Sequence, residues 1–255
     1  MVNKLLKLWP PLAVLAIVVL GWQAAVVLFG TKEYVLPSPL VIASTVMKEA
    51  PRLLEHTSAT LGITLLGFIF GAAAGFLLAA LLHLIPGAKA GFYPLLVLTQ
   101  NVPVMALGPL LVIWFGFGLM PKIILLTIVC FFPISVAMLT GLTKSDPKLL
   151  SYMRMIGASK SQLFWRLELP HAIPYLFSGL KIAASYSVIS AIYAETIGGS
   201  EGLGVYMRLS MRGWQTANMF AAIAVVITLS LVLFGIIFAL ERLFLRGTAR
   251  SSKGE

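Results

Sequence analysis

Charge is scarce in this 255-residue chain, since only 11% of its residues are Asp, Glu, Lys or Arg while 59% are hydrophobic. An ordinary soluble domain is about 25% charged and about 45–50% apolar. The chain therefore has too few charges to cover a surface that faces water, and its mean hydropathy of +0.97 agrees with this. Lipid must solvate much of the surface, which excludes soluble and disordered proteins.

Two further absences exclude kinds of site. The single cysteine, Cys130, excludes an internal disulfide and a cysteine-rich metal site. No phosphate-binding loop of the form Gly-x-x-x-x-Gly-Lys-Ser/Thr occurs, because no glycine in the chain precedes a lysine. We therefore expect this chain to bind no metal or cofactor, and any ATP to be used by a partner subunit. The net charge of +10 would suit nucleic acid, but basic cytoplasmic loops of a membrane protein explain it better, so no nucleic acid is expected.

Long apolar runs predict an all-α polytopic membrane protein with six transmembrane helices, because a crossing needs about 20 mostly apolar residues. The runs cover residues 11–30, 59–85, 93–116, 122–142, 175–197 and 217–240. Pro103 and Pro109 predict that the third crossing is kinked or broken. The first run is longer than the core of a signal peptide, so we expect it to stay as an anchor. Residues 11–245 then form a single transmembrane domain.

The distribution of basic residues predicts that both termini are cytoplasmic. With residues 1–10 inside, twelve Lys and Arg residues fall on inner segments and six on outer segments. An excess of basic residues marks the cytoplasmic side of a membrane protein. Residues 246–255 are then a basic cytoplasmic tail.

Two connections are too long to be simple turns. The outer one, residues 31–58, carries Val41, Val46 and Met47 at spacings that suit a short helix on the membrane surface. The inner one, residues 143–173, predicts two helices. The first starts at Ser145-Asp146-Pro147 and stops at Gly157. The second follows Ser159 and ends at Pro170.

The second inner helix has an apolar face. Leu163, Phe164 and Leu167 share this face by their i, i+3 and i+4 spacing. The helix pair either packs back onto the bundle or presents the face to a cytoplasmic partner, and the spacing alone favours neither.

The order of residues in this inner connection resembles the signature loop of binding-protein-dependent ABC transporter permeases, which form type I importers. Gly157 is followed by nine residues, Leu167, one residue and Leu169-Pro170. The Glu-Ala-Ala triplet of the family is absent, because Ser151-Tyr152-Met153 stands in its place, so the contact made by that glutamate does not carry over. Three other segments resemble the nitrate, sulfonate, taurine and thiamine-precursor branch, and the likeness spans about residues 34–245. These segments are Leu36-Pro37-Ser38-Pro39, Trp114 to Gly118, and Ala194-Glu195 with Gly202-Leu203-Gly204.

The resemblance implies one half of an ATP-driven importer in a prokaryotic cell membrane. Two permease copies, expected to be identical, would form the pathway, and an external solute-binding protein would deliver the solute. Two cytoplasmic ATPase subunits would dock on the coupling helices of the inner loop, at Arg154, Gly157, Ala158, Ser159, Phe164, Leu167, Leu169 and Pro170. The solute stays open between a thiamine pyrimidine precursor, faintly favoured by residues 202–207, and an alkanesulfonate, taurine or nitrate.

Several other residues are candidates for packing or for the pathway. Gly67, Gly71 and Gly75 form a smooth helix stripe, which suits packing against a neighbouring span better than against a second copy. Glu195 lies at the outer end of the fifth span, where it either lines the pathway mouth or reaches water. Gln100 and Asn101 either line the pathway or hold helices together by buried hydrogen bonds. We expect Lys181 to extend towards the lipid headgroups.

Two rival functions have some support in the sequence. Gly198-Gly199-Ser200-Glu201-Gly202 fits the Gly-x-Ser-x-Gly pattern of serine hydrolases, which needs a strand–turn–helix elbow and a histidine base. An ion-gradient-driven secondary transporter would use intramembrane charges. Glu195 and Lys181 are the only candidates for such charges, and the rival leaves the inner helix pair without a role.

Overall fold

The computed structural model describes the backbone of residues 2–251 and the side chains of residues 9–245. Every regular element in that range is helical. The helices are α1 (Val2–Leu28), α2 (Pro39–Lys48), α3 (Ala50–Leu84), α4 (Ala88–Thr99), α5 (Val104–Phe115), α6 (Leu119–Thr143), α7 (Pro147–Met155), α8 (Lys160–Leu163), a π turn (Phe164–Glu168), α9 (Leu169–Gly198), α10 (Leu203–Arg212) and α11 (Thr216–Ser251).

Five helices of the described range are long and apolar enough to cross a membrane, and the count is six if the bent pair α4 and α5 is one crossing. The pair is bent by 95°. Each member has 12 residues, or about 18 Å at 1.5 Å per residue, which is too short for a hydrocarbon layer of about 30 Å. The bend lies at Pro103, which cannot donate a backbone hydrogen bond. The predicted break in the third crossing is confirmed.

The core lies where α6 packs between α3 and α9. Leu126, Ile134 and Met138 of α6 are fully buried there. Helix α11 packs on α9, and its Leu233 and Ile237 join the same core. Helix α1 is peripheral, because its apolar part has no buried residue, and its Trp22 ring meets Phe220 of α11 at 5.7 Å between centroids.

The glycine stripe on α3 faces α6 of the same chain. A β-carbon at Gly71 would lie 2.5 Å from the Cβ of Cys130 and 3.0 Å from the carbonyl oxygen of Thr127. Gly67 meets Leu126 and Gly75 meets Phe131 in the same way. The stripe therefore brings two backbones of one chain together, as small residues do in membrane bundles.

We call the end of the bundle that carries α2 and α10 the outer end, and the end that carries α7 and α8 the inner end. The predicted short helix in residues 31–58 is confirmed as α2, in which Ser38 accepts a hydrogen bond from the Val41 N–H. Helix α3 begins at Ala50, well before the predicted span at residue 59. Hydropathy marks the part of a helix that sits in lipid and not its start, so this extension was missed.

Candidate functional site

The inner loop begins with α7, whose ends match the sequence prediction. The Asp146 side chain accepts a hydrogen bond from the Lys148 N–H at 2.8 Å, and Pro147 occupies the first turn. The helix ends before Gly157, which has φ of +81°. Only glycine adopts this left-handed conformation without steric cost, so the chain turns there.

Helix α8 starts with a reciprocal cap. Ser159 Oγ accepts from the Gln162 N–H at 3.3 Å, and Gln162 Oε1 accepts from the Ser159 N–H at 2.8 Å. Such a capping box satisfies two of the amide groups that a helix start leaves free. The angle between α7 and α8 is therefore set at Gly157 and Ser159.

The apolar face of the second inner helix is turned towards the bundle. Phe164 is only 5% exposed and packs among Ala79 and Leu82 of α3 and Leu142 of α6. Leu163 is also buried and Leu167 is half-buried. Of the two alternatives for this face, packing back onto the bundle is the one that the structure shows, so Phe164 is not exposed for the docking contact that the resemblance implies. Helical spacing identifies an apolar face without saying what covers it.

A different apolar surface is exposed on this loop. Helix α7 has no buried residue, and its Met155 is 79% exposed. Other large apolar side chains of the loop are exposed as well: Leu149, Tyr152, Ile156 and Trp165. We call these five residues the inner apolar patch. Of the predicted docking residues, Arg154, Gly157, Ser159 and Pro170 are exposed, whereas Ala158 and Leu169 are half-buried.

Pro170 does not end the second inner helix, contrary to the prediction. The turn Phe164–Glu168 is a π turn in which the Leu169 N–H reaches back to the Phe164 carbonyl, and the chain continues into α9. The wider turn lets proline enter in the first turn of α9, where its missing N–H costs little. The loop is thus joined to a membrane-crossing helix without a break.

A polar contact ties the π turn to α3. His83 Nε2 lies 2.8 Å from Glu168 Oε2, and the two side chains are 17% and 13% exposed. Within the described residues this is the one contact between a basic and an acidic side chain that joins residues 143–173 to another part of the chain. Sequence reasoning missed it, because 85 positions separate the partners.

At the outer end, Glu195 is buried and does not reach water. Glu195 is only 1% exposed, so the alternative of a solvated carboxylate is wrong. Glu195 Oε2 accepts a hydrogen bond from the Gly204 N–H at 2.8 Å, while Oε1 has no partner among the described residues. Sequence reasoning therefore selected a residue with an unusual environment.

Three side chains from other helices cap α10. The N–H groups of Gly202, Leu203 and Gly204 donate to His56 Nδ1, Thr60 Oγ1 and Glu195 Oε2, respectively. Helix α10 lacks a capping side chain of its own, so its free amides are satisfied by α3 and α9. Burial, and then the charge of Glu49, raise the pKa of Tyr206 on α10, while Arg52 acts in the opposite direction.

A cavity of about 420 Å³ opens beside Glu195. It lies between the outer parts of α3, α6 and α9, and Lys122, Ser58 and Glu201 also line it. Glu195 and Lys122 thus place an acidic and a basic side chain on one cavity. Gln100 and Asn101 are elsewhere and exposed. Asn101 lies just past the end of α4, and its Nδ2 donates to the Val97 carbonyl of that helix, so this bond does not join two helices. Since both side chains are exposed, the alternative of buried hydrogen bonds does not fit them.

Lys181 does not extend to the lipid headgroups as expected. Its Nζ lies 2.8 Å from Glu241 Oε2, so that α9 and α11 are joined by an ion pair. Glu241 directly follows the last predicted span, and this position could have suggested the pairing.

The serine hydrolase hypothesis lacks the strand–turn–helix elbow that it requires. The described residues contain no strand, and Ser200 lies in an exposed loop.

Comparisons with known proteins identify the family of this chain. The family model described as "Binding-protein-dependent transport system inner membrane component" matches residues 67–246. A probable ABC transporter permease protein of Haemophilus influenzae is 34% identical over 229 residues, 90% of this chain and 94% of that protein. The formylaminopyrimidine transport permease protein ThiX of Halalkalibacterium halodurans is 34% identical over 225 residues, 88% of this chain and 90% of that protein.

A solved structure shares the fold. The inward-facing MetNI methionine ABC transporter matches with a TM-score of 0.67 and 20% identity, over 76% of this chain and 97% of that chain. The resemblance seen in the inner loop and in the segments around residues 36, 114 and 195 is confirmed. The chain belongs to the family of binding-protein-dependent transport system inner membrane components, and it is a multi-pass permease subunit of an ABC importer in a prokaryotic membrane.

Proposed function

We propose that this permease forms the translocation pathway for a small polar solute and is driven by an ATPase subunit that binds its inner apolar patch. The observation that carries the proposal is the exposure of Tyr152 and Met155 on a helix with no buried residue, and of Ile156 directly after it. A short helix that keeps its apolar side chains in water, on a loop with fixed caps, has the character of a protein interface.

The energy source acts from outside this chain. The sequence has no phosphate-binding loop, so nucleotide binding falls to the partner. The permease family implies both an ATPase and a solute-binding protein. We propose two ATPase subunits, two identical permease copies and cytoplasmic termini, the orientation that puts the inner apolar patch on the side of the ATPase.

For the solute we propose a thiamine pyrimidine precursor. The support is the 34% identity to a relative named for formylaminopyrimidine transport, together with the segment Gly202 to Met207. Alkanesulfonate, taurine and nitrate are the alternatives within the same branch. Uptake of labelled formylaminopyrimidine by cells that express the whole transporter tests this, and uptake of taurine alone would contradict it.

The docking proposal is tested with substitutions that leave the bundle intact. Met155→Asp together with Ile156→Asp places two charges on the inner apolar patch, where no side chain is buried. We expect the ATPase to stop co-purifying with the permease. Ser161→Asp is the matched control, because Ser161 is exposed on the same loop but outside the patch. An ATPase that still co-purifies with the double variant would contradict the docking site.

A further inference from the structure

We propose that the pair His83–Glu168 is a strut that makes the inner end of α3 follow the inner loop when the ATPase moves it. The inference rests on the proposed function. His83 stands in the last turn of α3, and Glu168 is the last residue of the π turn that leads into α9. Their 2.8 Å contact joins the two helices at the point where the loop enters the bundle.

The location of the contact gives it this role. Helix α7 carries three residues of the inner apolar patch, Leu149, Tyr152 and Met155, and has no buried residue of its own. Besides its direct link to α6, α7 is joined to the bundle through α8 and the π turn, where Leu163 and Phe164 are buried. The His83 ring lies 6.4 Å from the Phe164 ring, so that a polar contact and an apolar contact hold the same turn against α3.

The two contacts differ in what they resist. Apolar burial has no preferred direction, so a small shift of the Phe164 ring costs less than the same shift in a hydrogen bond. A hydrogen bond to a mostly buried carboxylate weakens steeply when its length or angle changes. His83 and Glu168 therefore fix the distance between α3 and the π turn, and the Phe164 contact alone does not.

A fixed distance between α3 and the π turn matters because the π turn can change its hydrogen-bond pattern. π turns are rare and often mark functional sites, because the extra residue can be absorbed by a shift of the hydrogen-bond pattern. Pro170 follows two residues later and cannot donate a backbone hydrogen bond. Without the strut, movement of α7 could be absorbed at this turn. With it, movement is passed to α3, whose other end carries His56 and Thr60 beside the start of α10.

The decisive variant removes both partners. His83→Leu with Glu168→Leu leaves no unpaired polar group, and replacing a buried pair with apolar side chains of similar volume is often neutral for stability. Lys181→Leu with Glu241→Leu is the matched control, since that pair also spans 2.8 Å between two helices but lies between α9 and α11. The single variants and their double-mutant cycle show whether the two residues act together.

The measurement is the distance between spin labels on the permease–ATPase complex, with and without ATP and vanadate. One label replaces exposed Ser151 on α7 and the other replaces exposed Leu81 on α3, with labelled chains diluted in unlabelled chains. Cys130, the single native cysteine, is buried and takes no label. A second label pair, at Ser151 and at exposed Leu243 on α11, reports whether the loop moves at all.

In the native complex we expect nucleotide to change the Ser151–Leu243 distance and to leave the Ser151–Leu81 distance unchanged. In His83→Leu/Glu168→Leu the Ser151–Leu81 distance should shift by more than about 2 Å, the size of an ordinary helix displacement, while the control variant behaves as the native protein. A Ser151–Leu81 distance that stays fixed in the double variant overturns the strut. Loss of the ATPase from His83→Leu/Glu168→Leu, but not from the control variant, also overturns the strut. If the native permease binds no ATPase, or if nucleotide leaves the Ser151–Leu243 distance unchanged, the proposed function itself is overturned.

Discussion

Glu195 Oε2 and the Gly204 N–H are joined by a 2.8 Å hydrogen bond that connects the last turn of α9 to the first turn of α10. The bond depends on two glycines. Gly202 has φ of +110°, and a β-carbon there would collide with the carboxylate of Glu195. A β-carbon on Gly204 would collide with the Ile192 carbonyl. The Gly202-Leu203-Gly204 segment is therefore shaped to receive this carboxylate.

We predict that Gly202→Ala lowers the stability of the permease, because the methyl group strains the backbone and displaces Glu195. Overpacking of this kind costs about 1–3 kcal/mol. The thermal unfolding midpoint of the purified permease measures the effect. Ser200→Ala in the same loop is the control and should leave both stability and transport unchanged, because Ser200 is exposed. Equal midpoints for the two variants would contradict the packing argument.

We predict that Glu195→Gln is tolerated far better than Glu195→Ala. Glutamine keeps an oxygen that can accept the Gly204 N–H, whereas alanine leaves that buried amide without a partner, at a cost of about 1–3 kcal/mol. Unfolding midpoints of the two variants give the comparison. If alanine and glutamine were equally tolerated, the hydrogen bond to Gly204 would not hold α10 in place.

We predict a graded loss of ATPase binding at Gly157. Its φ of +81° costs a side chain about 1–2 kcal/mol, and asparagine bears this conformation better than leucine. The dissociation constant of the ATPase should therefore rise in the order native, Gly157→Asn, Gly157→Leu, because the angle between α7 and α8 changes. Nothing lies within 4 Å of a β-carbon at this position, so a steric clash does not explain the order. A leucine variant that binds as the native protein does would contradict it.

We predict that Gly71→Ala destabilises the bundle and Gly62→Ala does not. Both residues lie on α3, but a β-carbon at Gly71 meets Cys130 and the backbone of α6, while one at Gly62 has nothing within 4 Å. The added methyl group must push α3 and α6 apart. The yield of monodisperse permease and its unfolding midpoint report the difference. Equal behaviour of the two variants would mean that α3 and α6 are less closely packed than the structure has them.

The sequence predicted what depends on local chemistry. Apolar run lengths predicted the crossings, Pro103 predicted the broken one, and Asp146, Gly157 and Ser159 predicted the helix ends of the inner loop. These signals work because a hydrogen-bond cap or a missing N–H acts within a few residues.

The sequence did not predict what depends on distant partners. The inward orientation of Phe164 is decided by Leu82 and Leu142, which cover it, and not by helical spacing. The continuation past Pro170 depends on a π turn that no residue pattern announces. The contacts of Glu195 with Gly204 and of His83 with Glu168 join separate helices, and a single sequence does not reveal such pairs.

The central claim is that an ATPase subunit grips the inner apolar patch, and site-specific photo-crosslinking tests it most directly. A photoreactive amino acid at Ile156, which is exposed on the loop after α7, is activated in native membranes that contain the whole transporter. We predict a crosslinked product that joins the permease to a subunit with a phosphate-binding loop, and no such product from the same amino acid at Ser161. Crosslinks from Ile156 only to lipid or to the permease itself would contradict the account.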